Sequence, residues 1–94
     1  MFEWDAEKAS ANVTKHGVSF DEAVEVFADA EALDGPDVRH SASEARFLRI
    51  GRSLAGRVLT VSYTLRERGH EEVIRIISAR RASRRERAAY QGSH

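Results

Sequence analysis

The chain of 94 residues has no cysteine, one proline, one tryptophan and no lysine beyond Lys15. Without cysteine no disulfide framework can form, and no thiolate can hold a metal. That fits a reducing compartment. No stretch approaches the roughly 18 apolar residues of a membrane span. The opening MFEWDAEKAS is acidic and mixed, unlike a secretory leader. The expectation is one soluble, cytoplasmic domain over residues 1–94, whose Gly92-Ser93-His94 end has the look of a cloning remnant. A chain of this length buries about 60–65% of the surface that its unfolded form exposes, so it folds alone with little stability to spare. Also missing are H-E-x-x-H, the phosphate loop and G-x-G-x-x-G. The second half holds no cluster of acids suited to magnesium, so neither a metal nor another cofactor is expected.

Charge is present in quantity but unevenly placed. Residues 1–45 carry eleven acids against three bases, a net −8; residues 46–94 carry twelve arginines against four glutamates, a net +8. The densest stretch is RIISARRASRRER, Arg75 to Arg87, with six arginines and one glutamate. If the fold keeps the halves apart, one surface attracts phosphate. If it brings them together, they neutralise each other.

The local patterns place most elements. Asp5 caps a helix that ends with Lys15 and His16 at Gly17, a natural left-handed C′ residue. Ala6, Ala9 and Val13 give that helix a thin apolar stripe. Ser19 and Glu22 form a capping box, and Phe20, Ala23, Val24 and Phe27 follow at helical spacing, which predicts a second helix from Val18 to about Ala30. Ahead of both helices, Phe2 and Trp4 alternate with Glu3 as a short strand or an apolar plug. Leu33 to Ser43 reads as a loop around Gly35-Pro36. The period then becomes two. Strands are predicted over Arg46–Ser53, Leu59–Arg66 and Val73–Arg80, with turns at Ala55-Gly56 and Arg68–Glu71. Leu59, Val61, Tyr63 and Leu65 should face the core, and Thr60, Ser62, Thr64 and Arg66 the other side. Val73–Arg80, apolar on both faces except at Arg75, reads as a central strand. Ser83 and Glu86 open a last helix with a second capping box. The expected fold is α+β, with two N-terminal helices on a small antiparallel meander sheet and a C-terminal helix.

The last helix breaks a local rule. Its first turn should favour acids, yet it holds Arg84 and Arg85, with Arg80 and Arg81 just before it. Each such cation costs about 0.3–1 kcal/mol against the helix dipole. A helix start ringed by arginines suits phosphate, and broken local rules mark functional sites. Arg66, at the end of the neighbouring strand, and Arg75 can join this cluster, and Tyr90 can contact a base. A nuclease also needs a group to move protons. Arginine cannot do this, and His16 is the first candidate by chemistry. A histidine in a last helical turn is equally a good C-terminal cap. His40 with Glu44, and His70 with Glu71, are further candidates. His94 is set aside with the tail.

The run FEWDAEKASANVTKHGVSFDEAVEVFAD resembles the N-terminal signature of the BrnT toxin family. DVRHSASEARFLRIGRSLAGRVLTVSYTLR resembles its middle, through Asp37, His40, Ser41, Glu44, Arg46, Gly51 and the Gly56-Arg57 turn. RIISARRASRRERAAY resembles its C-terminal signature. One departure is Ala30, where proline often stands. The resemblance implies a RelE-like fold and a type II toxin that cuts RNA and arrests translation. It implies a cognate antitoxin, of the ribbon-helix-helix DNA-binding kind, through which the complex meets operator DNA. Carried over, it places Arg66, Arg80 and Arg84 at the catalytic site, with Arg75 and Tyr90 near it; by chemistry, His16 or a loop carboxylate would move protons. Arg75, Arg81, Arg85 and Tyr90 would contact RNA phosphates. A non-catalytic nucleic-acid-binding module, or a protein whose arginines dock an acidic antitoxin segment, would share the arginines but need no proton-transfer group.

Overall fold

The structure, a computed structural model, describes residues 1–92; Ser93 and His94 lie outside the described residues. Strand β1 (Phe2–Glu3) leads into helices α1 (Ala6–His16) and α2 (Phe20–Glu25). Strands β2 (Leu33–Pro36), β3 (Phe47–Arg52), β4 (Val58–Arg68) and β5 (Glu71–Arg81) follow, and helix α3 (Arg84–Gly92) closes the described chain. The five strands form one sheet in the order β1-β5-β4-β3-β2. Every pairing is antiparallel except that of β1 with β5, which is parallel. The α+β fold with two N-terminal helices, an antiparallel meander and a C-terminal helix is therefore as expected. The sheet is larger by the two edge strands. Among the described residues no helix is long and apolar enough to cross a membrane.

The caps behave as their chemistry requires. Asp5 accepts from the backbone N–H of Glu7 and Lys8, and Gly17 takes φ +67° at the end of α1. Ser19 accepts from the N–H of Glu22 at 3.0 Å. Glu22 does not reach back, because Arg57 and Ser53 take its carboxylate. The α-helix α2 stops at Glu25 rather than Ala30 and tightens into a 3-10 turn, Val26–Ala28. Residues 33–36, expected to be loop, instead pair with β3. Four residues containing Gly35 and Pro36 carry almost no strand signal. Their hydrogen bonds come from β3, and a proline is tolerated because β2 is an edge.

The core lies between α1, α2 and one sheet face. Val18, Phe20, Ala23, Val26, Leu59, Val61, Tyr63, Ile76 and Ala79 form a single buried cluster. Each large aliphatic side chain among them contributes about 1.5–3 kcal/mol. Phe2 meets Phe27 edge to face, and Trp4 meets Phe20 likewise, so β1 is both strand and plug. Leu65, expected inside, is 41% exposed, because the β4–β5 hairpin is exposed from there to its Gly69-His70 tip.

Val13, expected in the apolar stripe of α1, is exposed, and the buried residue of that helix is the polar Asn12. Its amide donates to the carbonyls of Val18 at 2.9 Å and Ala79 at 2.8 Å, and its oxygen accepts from the Ala79 N–H at 3.2 Å. One buried side chain thus fastens α1 to the chain ahead of α2 and to β5. Replacing it strands three buried backbone groups, each costing about 1–3 kcal/mol. Asn12→Ala is expected to lose at least about 3 kcal/mol in urea unfolding with an unchanged m-value.

Candidate active site

The sheet face away from α1 and α2 is only partly covered. Two segments cross it and leave a cavity of about 400 Å³ between them. Asp37, Arg39, His40, Arg46, Leu48, Ser62, Ile77, Ser78, Arg80 and Glu86 line it. One wall is the start of α3 with the end of β5. The other is the segment 37–46, which links β2 to β3.

The 37–46 segment folds on itself. The Asp37 N–H donates to the Arg46 carbonyl at 2.8 Å, closing its ends. The Ser41 hydroxyl donates to the Asp37 carbonyl at 2.6 Å and accepts from the Arg46 N–H at 3.0 Å. Thr64 donates to the Ala45 carbonyl, and Arg66 pairs with Glu44 at 3.2 Å, so β4 braces the segment from below. Val38–His40 is a 3-10 turn with Asp37 ahead of it. Positions i and i+3 of such a turn eclipse one another. Asp37 and His40 meet in that way, with Nδ1 of His40 at 3.0 and 3.2 Å from the two carboxylate oxygens. Asp37 is buried, whereas the imidazole is 63% exposed. With Nδ1 engaged by Asp37, Nε2 is the ring nitrogen that His40 has left over at the cavity it lines.

On the opposite wall Glu86 is the node. Its carboxylate accepts from Nη1 and Nη2 of Arg80 at 2.6 and 2.9 Å, from Thr60 at 2.9 Å and from the Ser83 N–H at 2.8 Å. Ser83 returns the capping bond to the Glu86 N–H at 3.1 Å. The capping box is thus formed as expected. It also means that the chain's own carboxylate fills the helix N-terminus that seemed ready for phosphate. Arg80 is fixed in place: Nη1 also donates to the Arg81 carbonyl at 3.4 Å, so two of its five N–H groups have no partner among the described residues. Its bidentate bond holds the Glu86 carboxyl down to about 2, helped by Ser83 and Thr60 and opposed by burial.

The separation of charge by halves does not survive folding. Arg49 pairs with Asp34, Arg57 with Glu22, Arg66 with Glu44, and both Arg68 and Arg75 with Glu3. Acids of the front half thus take five arginines of the back half, because the sheet interleaves the two halves. Arg39 and Arg46, on the cavity wall, have no ion pair among the described residues, and neither do Arg81, Arg84, Arg85 and Arg87 on the neighbouring surface. Arg39 and Arg46 thus share a wall with the His40–Asp37 pair, and Arg80 stands on the opposite wall.

Of the residues singled out in sequence, Arg80 and His40 line the cavity, and Glu44 pairs with Arg66 beside it. Arg66 braces its wall, and Arg84, Arg85 and Arg81 are exposed beside it without lining it. Arg75 is held by Glu3 at 2.6 Å. Tyr90 is buried, donates to Asp29 at 2.6 Å and carries the Arg52 guanidinium over its ring. It ties α3 to the core rather than meeting solvent. His16 ends α1, on the helix side of the sheet, and does not share the cavity. His70 sits at the hairpin tip. Asp37, Arg39 and Arg46 were not singled out as site residues. The D-x-x-H-x5-R spacing was the available signal, but nothing in it says that the segment folds over the sheet. Among the described residues no group of three or more His, Cys, Asp or Glu side chains could hold a metal ion.

A small α+β protein with arginines and a His–Asp pair on an open sheet face has the equipment of a phosphodiester-processing protein. A family described as "Ribonuclease toxin, BrnT, of type II toxin-antitoxin system" matches residues 4–86. The chain belongs to this BrnT family, for which RNA is the substrate and an antitoxin the partner. The fold is similar to that of the ribonuclease toxin BrnT of Brucella abortus, with TM-score 0.64 and 26% identity over 89% of this chain and 99% of that one. No curated protein gives a significant match.

The depressed Glu86 carboxyl sets an acid limit on this wall. Its folded value lies below the ordinary 4.5, so the stability it contributes is complete above about pH 4.5 and is lost as pH falls toward 2. Glu86→Gln is expected to lose about 1–2 kcal/mol at pH 7, allowing for partial exposure. Its urea midpoint should then vary less than that of the wild type between pH 5 and pH 3.

Proposed function

We propose that the chain is an endoribonuclease toxin that cuts RNA without a metal ion and thereby arrests translation. The meeting of the His40–Asp37 pair with Arg39, Arg46 and Arg80 in one open cavity carries this reading. Nε2 of His40 takes the proton of the 2′-hydroxyl beside the scissile phosphate, and Asp37 stabilises the imidazolium that forms. The 2′ oxygen bonds to phosphorus and the bond from phosphorus to the 5′ oxygen breaks. A 2′,3′-cyclic phosphate and a 5′-hydroxyl remain. The arginines stabilise the charge that builds on the phosphorane. Glu86, held ionised by Arg80, has no proton to give, so water protonates the leaving oxygen and the hydroxide formed takes the proton back from His40. The side chains thereby perform both tasks for which other nucleases use a metal, activating the nucleophile and neutralising charge.

Around this centre, Arg81, Arg84 and Arg85 extend a basic track for flanking phosphates, and Arg66 holds the 37–46 wall. His40 takes the part that chemistry alone first offers to His16. In the cytoplasm the toxin is held by a cognate antitoxin of the ribbon-helix-helix kind, which supplies the contact with operator DNA.

His40→Ala is expected to lower kcat/KM on RNA by about 10²–10⁴-fold, and Arg80→Ala by about 10²–10³-fold. EDTA should leave cleavage unchanged, and the 3′ ends should be cyclic phosphates by mass spectrometry. A His40→Ala protein as fast as wild type would remove the proposed base. In a host lacking the antitoxin, wild type should stop amino-acid incorporation and growth, and Arg80→Ala should not.

A further inference from the structure

The cavity floor is unlike its walls. Across three strands one row reads Leu48, Ser62, Ser78, because Leu48 registers with Ser62 and Ser62 with Ser78. Next to Ser78 the register slips: Ser62 faces Ser78 but Tyr63 faces Ile76, so Ile77 is the extra residue of a β-bulge. A bulge re-aims a side chain. Here Ile76 enters the core while Ile77 joins Ser78 in lining the cavity. The floor is therefore two aliphatic side chains flanking two neighbouring hydroxyls.

The hydroxyl of Ser62 stands out. On this face of β4, Thr60, Ser62 and Thr64 are all buried. Thr60 donates to Glu86 and Thr64 to the Ala45 carbonyl. Ser62, only 8% exposed, has no hydrogen-bond partner among the described residues, and neither does the Ser78 hydroxyl. Ser78 is half-buried, and both hydroxyls open onto the cavity. Two adjacent hydroxyls that line a cavity and have no protein partner among the described residues are free to bond a polar ligand.

We infer that this floor is a nucleobase subsite, which takes the unstacked base beside the cleaved bond and discriminates among bases. The inference rests on the cavity being the RNA-cutting site. A phosphate gains nothing from Leu48 and Ile77 and has the arginines of the walls. A base combines a flat apolar face with a polar edge, which matches aliphatic side chains around hydroxyls. Ile77 and Leu48 pack on the ring, and Ser62 and Ser78 hydrogen-bond its edge. The bulge is then a specificity device, since without it Ile77 would not share the floor with Ser78.

Two measurements test this. Cleavage of a random-sequence RNA pool is read by sequencing the ends, for wild type and for Ser62→Ala/Ser78→Ala. Binding of the four nucleoside 3′-monophosphates is titrated by NMR with the same proteins and with Arg80→Ala. Wild type should prefer some bases beside the cut. The double variant should lose that discrimination on the order of tenfold, and its monophosphate affinities should converge. Arg80→Ala should weaken all four monophosphates alike and keep their ranking. An unchanged preference and ranking in the double variant overturns the subsite. So does a wild type that binds all four equally, or one that binds none of them. Failure of the ribonuclease reading is distinct: wild type cuts no RNA but still ranks the monophosphates, and the double variant abolishes the ranking, which upholds the subsite.

Discussion

The antiparallel pairing of β4 with β5, eleven residues in each strand, is the constraint on which the molecule depends. Its two faces are committed to different work. Leu59, Val61, Ile76 and Ala79 are buried against α1 and α2. The alternate residues Thr60, Ser62, Ser78 and Arg80 turn to the cavity side. A slip of one residue would exchange these sets and expel the core. Asn12 guards the register from one side through both backbone groups of Ala79. Glu86 guards it from the other, because it bonds Thr60 of β4, Arg80 of β5 and Ser83 at the start of α3. The same ladder thus fixes stability and site geometry.

Electrostatics then divides the arginines into two kinds. Those paired with front-half acids brace the structure: Arg66 holds the 37–46 segment, and Arg75 holds β1 through Glu3. Such part-exposed pairs contribute little each, about 0.2–1 kcal/mol, but they also withdraw charge from the surface. What remains unpaired is concentrated in the 37–46 segment and around the start of α3. Zero net charge therefore coexists with a local positive field at the cavity, where Arg39, Arg46 and Arg80 outnumber Asp37 and Glu86. A site of this kind attracts an anionic chain through local potential rather than through net charge.

Local chemistry made much of the architecture readable in advance. Asp5, Gly17, Ser19 and the Ser83–Glu86 box marked the helix ends, since a cap is settled within four residues of chain. The alternation from Leu59 to Tyr63 marked β4 and its buried face. Arg80 and the basic stretch around it were visible as a broken rule at a helix start. The strand Leu33–Pro36 was not readable, because four residues with glycine and proline gain their order from β3. The burial of Tyr90 was hidden for a similar reason: its partner Asp29 is 61 residues away in the chain.

The order of the helices and of the three meander strands, the caps and the α+β class were properties of the linear chain, because each rests on interactions that span a few residues. Which arginines stay unpaired, that His40 and Asp37 rather than His16 share a cavity with Arg80, and that Ile77 turns onto the cavity floor were decided by folding. Those outcomes depend on strand register and on contacts between distant segments. An arginine is written identically in the chain whether or not a glutamate 72 residues away, as Glu3 is from Arg75, will reach it.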